Sequence, residues 1–302
     1  MGLEATSRIP PAIGLGTFRC TGESCKISVR TAIECGIRHI DTASVYKNEV
    51  EIGEAVRSAI GDGIIERSDI FITSKVSPYE QGTTKARRAC EQILERLDIG
   101  YVDLMLIHWP GVARQKISSD ENAGKRYETW RVMEEFCDEG LIKSLGVSNY
   151  EIQHIKELLS YAKIKPTVNQ VECHPLYPQT ELKRFCLEND IKMVAYSCFG
   201  VGALFNEEEY PEVYQVARET GKSPAQVLLA WGLENDCCVL AKSEQPERIR
   251  EFSPEAPGMQ PIRLDEATKQ VHYLSDDHKR ILSRITERHG VEKFCWDPSG
   301  VQ

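Results

Sequence analysis

The chain has 302 residues, of which 41% are hydrophobic and 27% charged, and this composition is typical of a globular protein with a sizeable core. The formal net charge of -9 and the pI near 5.4 disfavour a surface that binds nucleic acid or an anionic membrane. No run of 18 apolar residues occurs, and the first residues lack a basic segment followed by an apolar one, so the sequence predicts neither a transmembrane helix nor a secretory signal.

The cysteines follow no metal-binding or disulfide pattern. There are eleven, an odd number, without CxxC pairs or the spacings of metal ligands. We therefore expect reduced thiols in a cytoplasmic protein and no bound metal.

Eight short β-prone segments recur along the chain. They are residues 13–17, 38–42, 70–76, 102–108, 143–148, 168–172, 192–197 and 238–242. Most intervals leave room for one helix and two loops, as parallel strands require. The pattern predicts an α/β protein with one closed (β/α)8 barrel of the TIM type. A doubly wound sheet is the rival, but no GxGxxG turn follows the first strand of either half.

Apolar periodicity predicts helices over 83–97 and 125–139. Ser223-Pro224 forms an N-cap and first-turn pair for a further helix, and Ser275 begins a C-terminal one. We expect a single domain over 1–302, with the barrel core at 8–252 and a helix and tail at 253–302. The tail is expected to lie over the barrel mouth.

Polar side chains stand at the predicted carboxyl end of every strand. In a (β/α)8 barrel these ends line the active site, whereas a purely structural barrel needs no such groups. The sequence therefore predicts a functional site from Thr17, Asp41, Lys75, His108, Ser148, Asn149, Gln170, Tyr196, Ser197, Lys242 and Ser243.

Three of these residues, Asp41, Lys75 and His108, form a chemically coherent group with Tyr46, which follows the second strand. A free tyrosine has a pKa near ~10, and we expect the ammonium of Lys75, paired with Asp41, to lower it. Tyr46 would then act as a general acid toward an oxygen that gains negative charge. His108 would orient the same oxygen.

The chain resembles the aldo-keto reductases in a series of motifs that run in order from about residue 10 to 252. These are "GLGTF", "HIDTASVYKNEVEIGEA", "ITSKV", "LMLIHWP", "SLGVSNY", "NQVECHP", "AYSCFG" and "LAKSEQPERIRE". The ending "KFCWDPSGVQ" resembles that of the microbial-type members often labelled glyoxal or prostaglandin-endoperoxide reductases. The resemblance implies an NADP-dependent carbonyl reductase, of the alcohol dehydrogenase (NADP+) or aldose reductase type, and a monomer.

The resemblance also implies roles for individual residues. Asp41, Tyr46, Lys75 and His108 would be the catalytic tetrad, with NADPH/NADP+ extended across the barrel mouth. The expected cofactor-binding residues are Ser148, Asn149, Gln170 and Tyr196 at the nicotinamide, Lys242, Ser243 and Arg248 at the 2′-phosphate and adenine end, Glu251 near the adenine amine, and the neighbouring Thr17 and Ser197.

Some features depart from the family pattern. Phe252 stands where an asparagine usually contacts adenine, and Glu244 brings an acid close to the expected phosphate.

Phe18, Trp109 and Trp296 are expected to line the substrate pocket. Specificity for a small-molecule carbonyl is expected from the segments 111–127, 201–210 and 285–302.

Three other interpretations remain open at this stage. Asp41 and Lys75 taken alone fit a structural buried ion pair. A lysine at a strand end also suits a Schiff-base aldolase, in which Lys75 would form the covalent adduct. The third is a cofactor-binding family member that performs a regulatory or structural role without turnover.

Overall fold

The computed structural model describes residues 8–266, 268 and 270–302 and shows a closed barrel of eight parallel strands paired in chain order. The first seven residues of the predicted domain lie outside this range. The strands are β1 Ile13–Gly16, β2 His39–Asp41, β3 Phe71–Val76, β4 Val102–Ile107, β5 Ile142–Ser148, β6 Val168–Glu172, β7 Lys192–Tyr196 and β8 Cys238–Ala241. Each begins and ends within two residues of its predicted position, and the predicted (β/α)8 barrel is confirmed.

Helices alternate with the strands and cover the outside of the barrel. They are α1 Gly22–Glu34, α2 Glu49–Gly61, α3 Thr83–Leu97, α4 Glu121–Asp138, α5 Ile152–Tyr161, α6 Thr180–Glu188, α7 Pro211–Thr220, α8 Pro224–Glu234, α9 Pro246–Glu251 and α10 Asp276–His289. The long interval between β7 and β8 holds two helices, α7 and α8. None of the described helices is long and apolar enough to cross a membrane.

The predicted helix starts at Ser223 and Ser275 are confirmed. Ser223 Oγ accepts a hydrogen bond of 3.2 Å from the Gln226 amide, and Ser275 Oγ accepts one of 3.2 Å from the His278 amide. Each side chain thereby satisfies an amide that the first turn leaves free.

The prediction for α4 was wrong at its start. The helix begins at Glu121 rather than 125, so residues 121–127 of the segment 111–127 are helical. Its first turns bury Asn122 and Arg126, each about 1% exposed, where an apolar stripe would be expected. Polar residues on the inner face hide the periodicity on which the prediction depended.

Apolar packing forms two layers. Inside the barrel lie Phe71, Leu104, Leu106, Val168, Val194, Cys238 and Leu240. A larger core fills the space between the strands and the surrounding helices. The carboxyl ends of the strands are left as the polar face of the barrel.

After α9 the chain forms a small antiparallel pair, β9 Arg263–Leu264 and β10 Val271–His272, and then α10, which packs against α7. The sequence did not predict β9 and β10, since two-residue strands carry no measurable periodicity. Beyond His289 the chain has no helix or strand and reaches the barrel mouth, as predicted, where Phe294 lies against the central cavity.

Candidate active site

A buried ion pair joins the ends of β2 and β3. Lys75 Nζ lies 2.6 Å from Asp41 Oδ1 and donates a second hydrogen bond of 2.8 Å to the carbonyl oxygen of Thr42. The Lys75 side chain is fully buried and that of Asp41 is 5% exposed. Gln170 Nε2 donates a hydrogen bond of 2.7 Å to the other carboxylate oxygen of Asp41. Three strands therefore fix one carboxylate.

Tyr46 stands directly above this pair. It ends a short 3-10 turn, Ser44–Tyr46, that follows β2, and the centre of its ring lies 5.2 Å from Lys75 Nζ. The His108 ring meets it edge-on, with 5.7 Å between ring centres. Within the described part of the chain, the Tyr46 hydroxyl has no hydrogen-bond partner, and neither has the buried Nδ1 of His108. The phenol is thus free to donate to a bound molecule.

Burial governs the protonation of these groups. Burial, and then the charge of Asp41, raise the pKa of Tyr46 well above its usual value. Burial also lowers the pKa of Lys75, against the opposing effect of Asp41. The expectation that Lys75 lowers the pKa of Tyr46 is not met, because Asp41 neutralises the ammonium at 2.6 Å and burial dominates. Tyr46 is a protonated phenol at neutral pH.

His108 is the fourth member of the group. Burial, followed by the positive charge of Lys75, lowers its pKa well below 6.5. The imidazole is therefore neutral at physiological pH, and one of its nitrogens carries a proton. A neutral imidazole and a neutral phenol together present hydrogen-bond donors to an electron-rich oxygen.

A cavity of about 740 Å³ opens above Tyr46 and His108. Its floor includes Asp41, Gln170 and Ser148, whereas Lys75 lies beneath the floor. Its walls are mainly apolar and are formed by Phe18, Val45, Trp109, Phe199, Val201, Phe205, Leu240 and Phe294. An apolar cavity with a few converging polar groups is typical of a small-molecule site.

All four residues predicted at the nicotinamide end line this cavity. Tyr196 donates a hydrogen bond of 2.7 Å to Asn149 Oδ1, and Asn149 Nδ2 donates one of 2.9 Å to the carbonyl oxygen of His108. Ser148 Oγ donates to the carbonyl oxygen of Gln170 at 2.8 Å. The positive φ of 62° at Asn149 suits asparagine, which tolerates the left-handed region. These bonds fix Asn149 and orient the Tyr196 ring.

Thr17 and Ser197 have different places. Thr17 is buried behind the cavity wall and donates a hydrogen bond of 2.8 Å to the carbonyl oxygen of Asp41. It therefore positions the end of β2 rather than facing the cavity. Ser197 lines the cavity, with its Oγ 3.7 Å from Cys295 Sγ.

The residues predicted at the phosphate end form a separate, exposed group. Lys242 lines the rim of the cavity, and its Nζ lies 2.6 Å from Glu244 Oε1. Ser24 Oγ donates a hydrogen bond of 2.9 Å to the other oxygen of Glu244. Arg248 is exposed and has no ion pair among the described residues. Ser243 Oγ accepts from the Gln245 amide at 3.0 Å.

Glu251 and Phe252, near the predicted phosphate end, make their contacts within the protein. The Glu251 carboxylate accepts a hydrogen bond from Ser223 Oγ, at the start of α8. Phe252 is 3% exposed and packs in the outer hydrophobic core, so its ring is not available to a ligand. A core role explains an aromatic residue at this position.

Of the three residues predicted to line the substrate pocket, two do so and one does not. Phe18 and Trp109 line the cavity, whereas Trp296 does not and instead packs edge-on against Trp109 at 4.8 Å between ring centres. The cavity residues that the sequence did not single out include Val45, Phe199, Phe294 and Cys295. Val45 directly precedes Tyr46 and Phe199 lies two residues after Ser197, and this closeness to predicted site residues was a usable signal.

No group of three or more His, Cys, Asp or Glu side chains could hold a metal ion in the described ranges 8–266, 268 and 270–302. All eleven cysteines are free thiols.

Comparison with known proteins supports one family. Residues 12–253 match the model described as the Aldo/keto reductase family. The chain is 40% identical over 242 residues to a glyoxal reductase of Bacillus subtilis, covering 80% of this chain and 81% of that protein. It is 37% identical over 242 residues to a 9,11-endoperoxide prostaglandin H2 reductase of Trypanosoma cruzi, covering 80% of each. A crystal structure of an aldo-keto reductase complexed with NADPH matches with a TM-score of 0.79 at 30% identity, over 94% of this chain and 86% of that one.

Proposed function

The chain belongs to the aldo/keto reductase family, and we propose that it reduces aldehyde and ketone carbonyls to alcohols with Tyr46 as the general acid. NADPH is the cofactor, and when bound it supplies the hydride. The observation that carries the proposal is the group formed by the buried Asp41–Lys75 pair, Tyr46 and His108 at the floor of one apolar cavity.

The chain's own residues supply the proton and the orientation. A carbonyl oxygen that accepts a hydrogen bond from the Tyr46 hydroxyl and one from neutral His108 is held at the cavity floor. As negative charge develops on that oxygen, the Tyr46 proton transfers to it. Lys75 Nζ lies 5.2 Å from the ring centre, and its ion pair with Asp41 supports the ring from below. Asp41 and Gln170 keep that ammonium in place.

The residues present fit NADPH at both ends. The Tyr196 ring offers a flat face beside the carboxamide-binding groups Asn149 and Gln170. At the rim, Lys242 and Arg248 are exposed cations suited to a phosphate. We assign the nicotinamide to the first group and the 2′-phosphate to the second.

The geometry disfavours the Schiff-base alternative. Lys75 Nζ is fully buried, carries two hydrogen bonds and lies outside the cavity lining, so a substrate carbonyl has no path to it. The non-catalytic alternative is disfavoured because the Tyr46 hydroxyl, at the cavity floor, has no hydrogen-bond partner among the residues that the structure describes. We also propose that the protein is a monomer and that it is cytoplasmic. Gel filtration tests the oligomeric state, and localisation of a tagged chain tests the location.

The deciding experiment measures cofactor oxidation with a panel of short-chain, dicarbonyl and aryl aldehydes, with NADPH and NADH side by side. Reduction of at least one aldehyde with NADPH supports the proposal. Borohydride treatment with substrate, followed by mass spectrometry of the peptide that contains Lys75, is the parallel arm. A covalent adduct on Lys75 without cofactor oxidation would favour the aldolase.

A further inference from the structure

Glu172 is a buried carboxylate that the catalytic group does not use. It is the last residue of β6, and its side chain is fully buried. Gln170 lies two residues earlier, and side chains two apart on a strand share a face. Gln170 reaches Asp41, whereas Glu172 turns to the C-terminal part of the chain.

Three consecutive tail residues, Lys293, Phe294 and Cys295, here called the tail segment, bind this carboxylate. Oε1 accepts from the Phe294 amide at 2.8 Å, and Oε2 accepts from the Cys295 amide at 3.0 Å and from Lys293 Nζ at 3.1 Å. His174 Nε2 lies 3.0 Å from Oε1. Burial opposes ionisation, but these hydrogen bonds lower the pKa of Glu172 to about 2. All four acceptor positions of the carboxylate are thus used.

The tail segment forms part of the cavity wall. Phe294 and Cys295 both line the cavity. The segment lies in a stretch with no helix or strand, so no regular backbone ladder holds it. Its amides would otherwise need another partner, because buried backbone N–H groups are almost always hydrogen-bonded.

We propose that Glu172 is a positioning residue that holds the tail segment as a wall of the cavity and so sets the affinity for bulky carbonyl substrates. It does not touch the reacting atoms. This inference rests on the proposed function, because it assigns the cavity to the substrate. We expect a small aldehyde bound at Tyr46 and His108 to make few contacts with Phe294, whereas an aryl aldehyde should pack against it.

The first test is kinetic, with NADPH as the cofactor. Glu172→Gln places an amide nitrogen against backbone N–H groups, and two donors cannot bond each other. We therefore expect the tail segment to separate from residue 172. We expect the KM for 4-nitrobenzaldehyde to rise about tenfold while kcat stays within about twofold, since the lost contacts act equally on the bound substrate and its transition state. The KM for propanal should change less than about twofold.

The matched control is Glu134→Gln. Glu134 is also a buried carboxylate that accepts two consecutive amides, those of Lys163 and Ile164 at 2.7 and 2.9 Å, and it pairs with Arg131. It lies on α4, away from the cavity lining. A general loss of stability would affect both variants, but only Glu172→Gln should change the ratio of the two KM values.

The second test does not depend on activity. Trypsin cleaves after lysine, and the Lys293–Phe294 bond is held by Glu172 in the wild type. We expect Glu172→Gln to release the peptide that begins at Phe294 at least tenfold faster, as measured by mass spectrometry, because cleavage follows local opening. Phe294→Ala should raise the KM for the aryl aldehyde but retain protection of the bond.

If Glu172→Gln is too unstable to purify, Glu172→Asp takes its place, since the shorter carboxylate reaches fewer partners. An unchanged KM ratio, or unchanged cleavage after Lys293, overturns the proposal. A wild-type protein that reduces no aldehyde overturns the proposed function, while the trypsin result still decides whether Glu172 holds the tail segment.

Discussion

Gln170 donates a hydrogen bond of 2.7 Å from Nε2 to Asp41 Oδ2, while Lys75 holds Oδ1. From the sequence, Gln170 was expected to bind the cofactor and Asp41 to belong to the catalytic group. The structure joins them through one buried carboxylate. Under the proposed function, Gln170 takes part in both cofactor binding and catalysis, and a change at Gln170 should affect both.

Gln170→Leu is expected to lower kcat about tenfold and to weaken NADPH binding, because Asp41 Oδ2 loses a buried hydrogen bond worth about 1–3 kcal/mol. Ser148→Ala is the matched comparison, since Ser148 lines the same cavity but bonds the carbonyl oxygen of Gln170 and not Asp41. It should weaken NADPH binding with a smaller effect on kcat. Steady-state kinetics and cofactor fluorescence titration measure the two quantities. Equal effects of both changes on kcat would argue against the coupling.

Tyr46→Phe should nearly abolish aldehyde reduction, because general acid catalysis contributes about 10²–10⁴-fold. NADPH affinity should stay close to that of the wild type, since the Tyr46 hydroxyl bonds none of the residues assigned to the cofactor. Tyr161→Phe is the control: it removes a buried hydroxyl that also lacks a partner among the described residues, at the end of α5 and outside the cavity lining. Turnover of Tyr46→Phe within a few-fold of the wild type rejects Tyr46 as the acid.

The pH dependence follows from the directions of two pKa shifts. The pKa of His108 is lowered well below 6.5, so the imidazole stays neutral as the pH falls toward 6. The pKa of Tyr46 is raised well above 10.0, so the phenol stays protonated as the pH rises. We expect kcat to be flat between about pH 6 and 9, because the competent protonation states persist throughout. His108→Gln should be slower but equally flat. A break in the wild-type profile near pH 6.5 would show that His108 titrates.

The strand-end residues were predictable because a parallel barrel brings the carboxyl ends of all its strands to one face. Asp41, Lys75 and His108 needed only the strand pattern and that rule. Phe294 and Cys295 could not be placed in this way. Their position depends on Glu172, more than 120 residues earlier, and a segment without periodicity carries no local signal of such a partner.

The pKa shifts in the site could also not be predicted from the sequence. The type of charge beside Tyr46 was visible, but the sign of its pKa shift depends on how deeply the phenol is buried and on how closely Asp41 neutralises Lys75. Likewise Phe252 was visible as an unusual residue, and only its burial in the core explains it.

Acid stability provides a test that needs no substrate. The pKa of Glu172 is lowered from 4.5 to about 2. Its contribution to the free energy of unfolding is therefore present above about pH 5 and is lost as the pH falls toward 2. The shift corresponds to roughly 3 kcal/mol of unfolding free energy for this fully buried group. Urea unfolding should show that the wild type has a larger free energy of unfolding than Glu172→Gln at pH 7. This difference in free energy should be smaller at pH 3. A difference that is independent of pH would mean that the charge of Glu172 contributes nothing.

The last prediction concerns the choice between NADPH and NADH. Lys242 and Arg248 are proposed to bind the 2′-phosphate, but Lys242 is already paired with Glu244, whose other oxygen accepts a hydrogen bond from Ser24. A charge-assisted hydrogen bond to phosphate contributes roughly 1.5–3 kcal/mol, and the repulsion from an exposed carboxylate is smaller because solvent screens it. The balance favours NADPH, by less than it would with a neutral residue at position 244.

Two substitutions separate these contributions through the ratio of kcat/KM for the two cofactors. Glu244→Gln frees the Lys242 ammonium for the phosphate and should raise the preference for NADPH about three- to tenfold, in the range of a partly screened ion pair. Arg248→Ala should lower the preference, because Arg248 is exposed and has no competing ion pair among the described residues. Glu247→Gln, on the same turn of α9, controls for a general change in charge. If the wild type uses both cofactors and Arg248→Ala changes neither rate, the 2′-phosphate does not bind at this strand end.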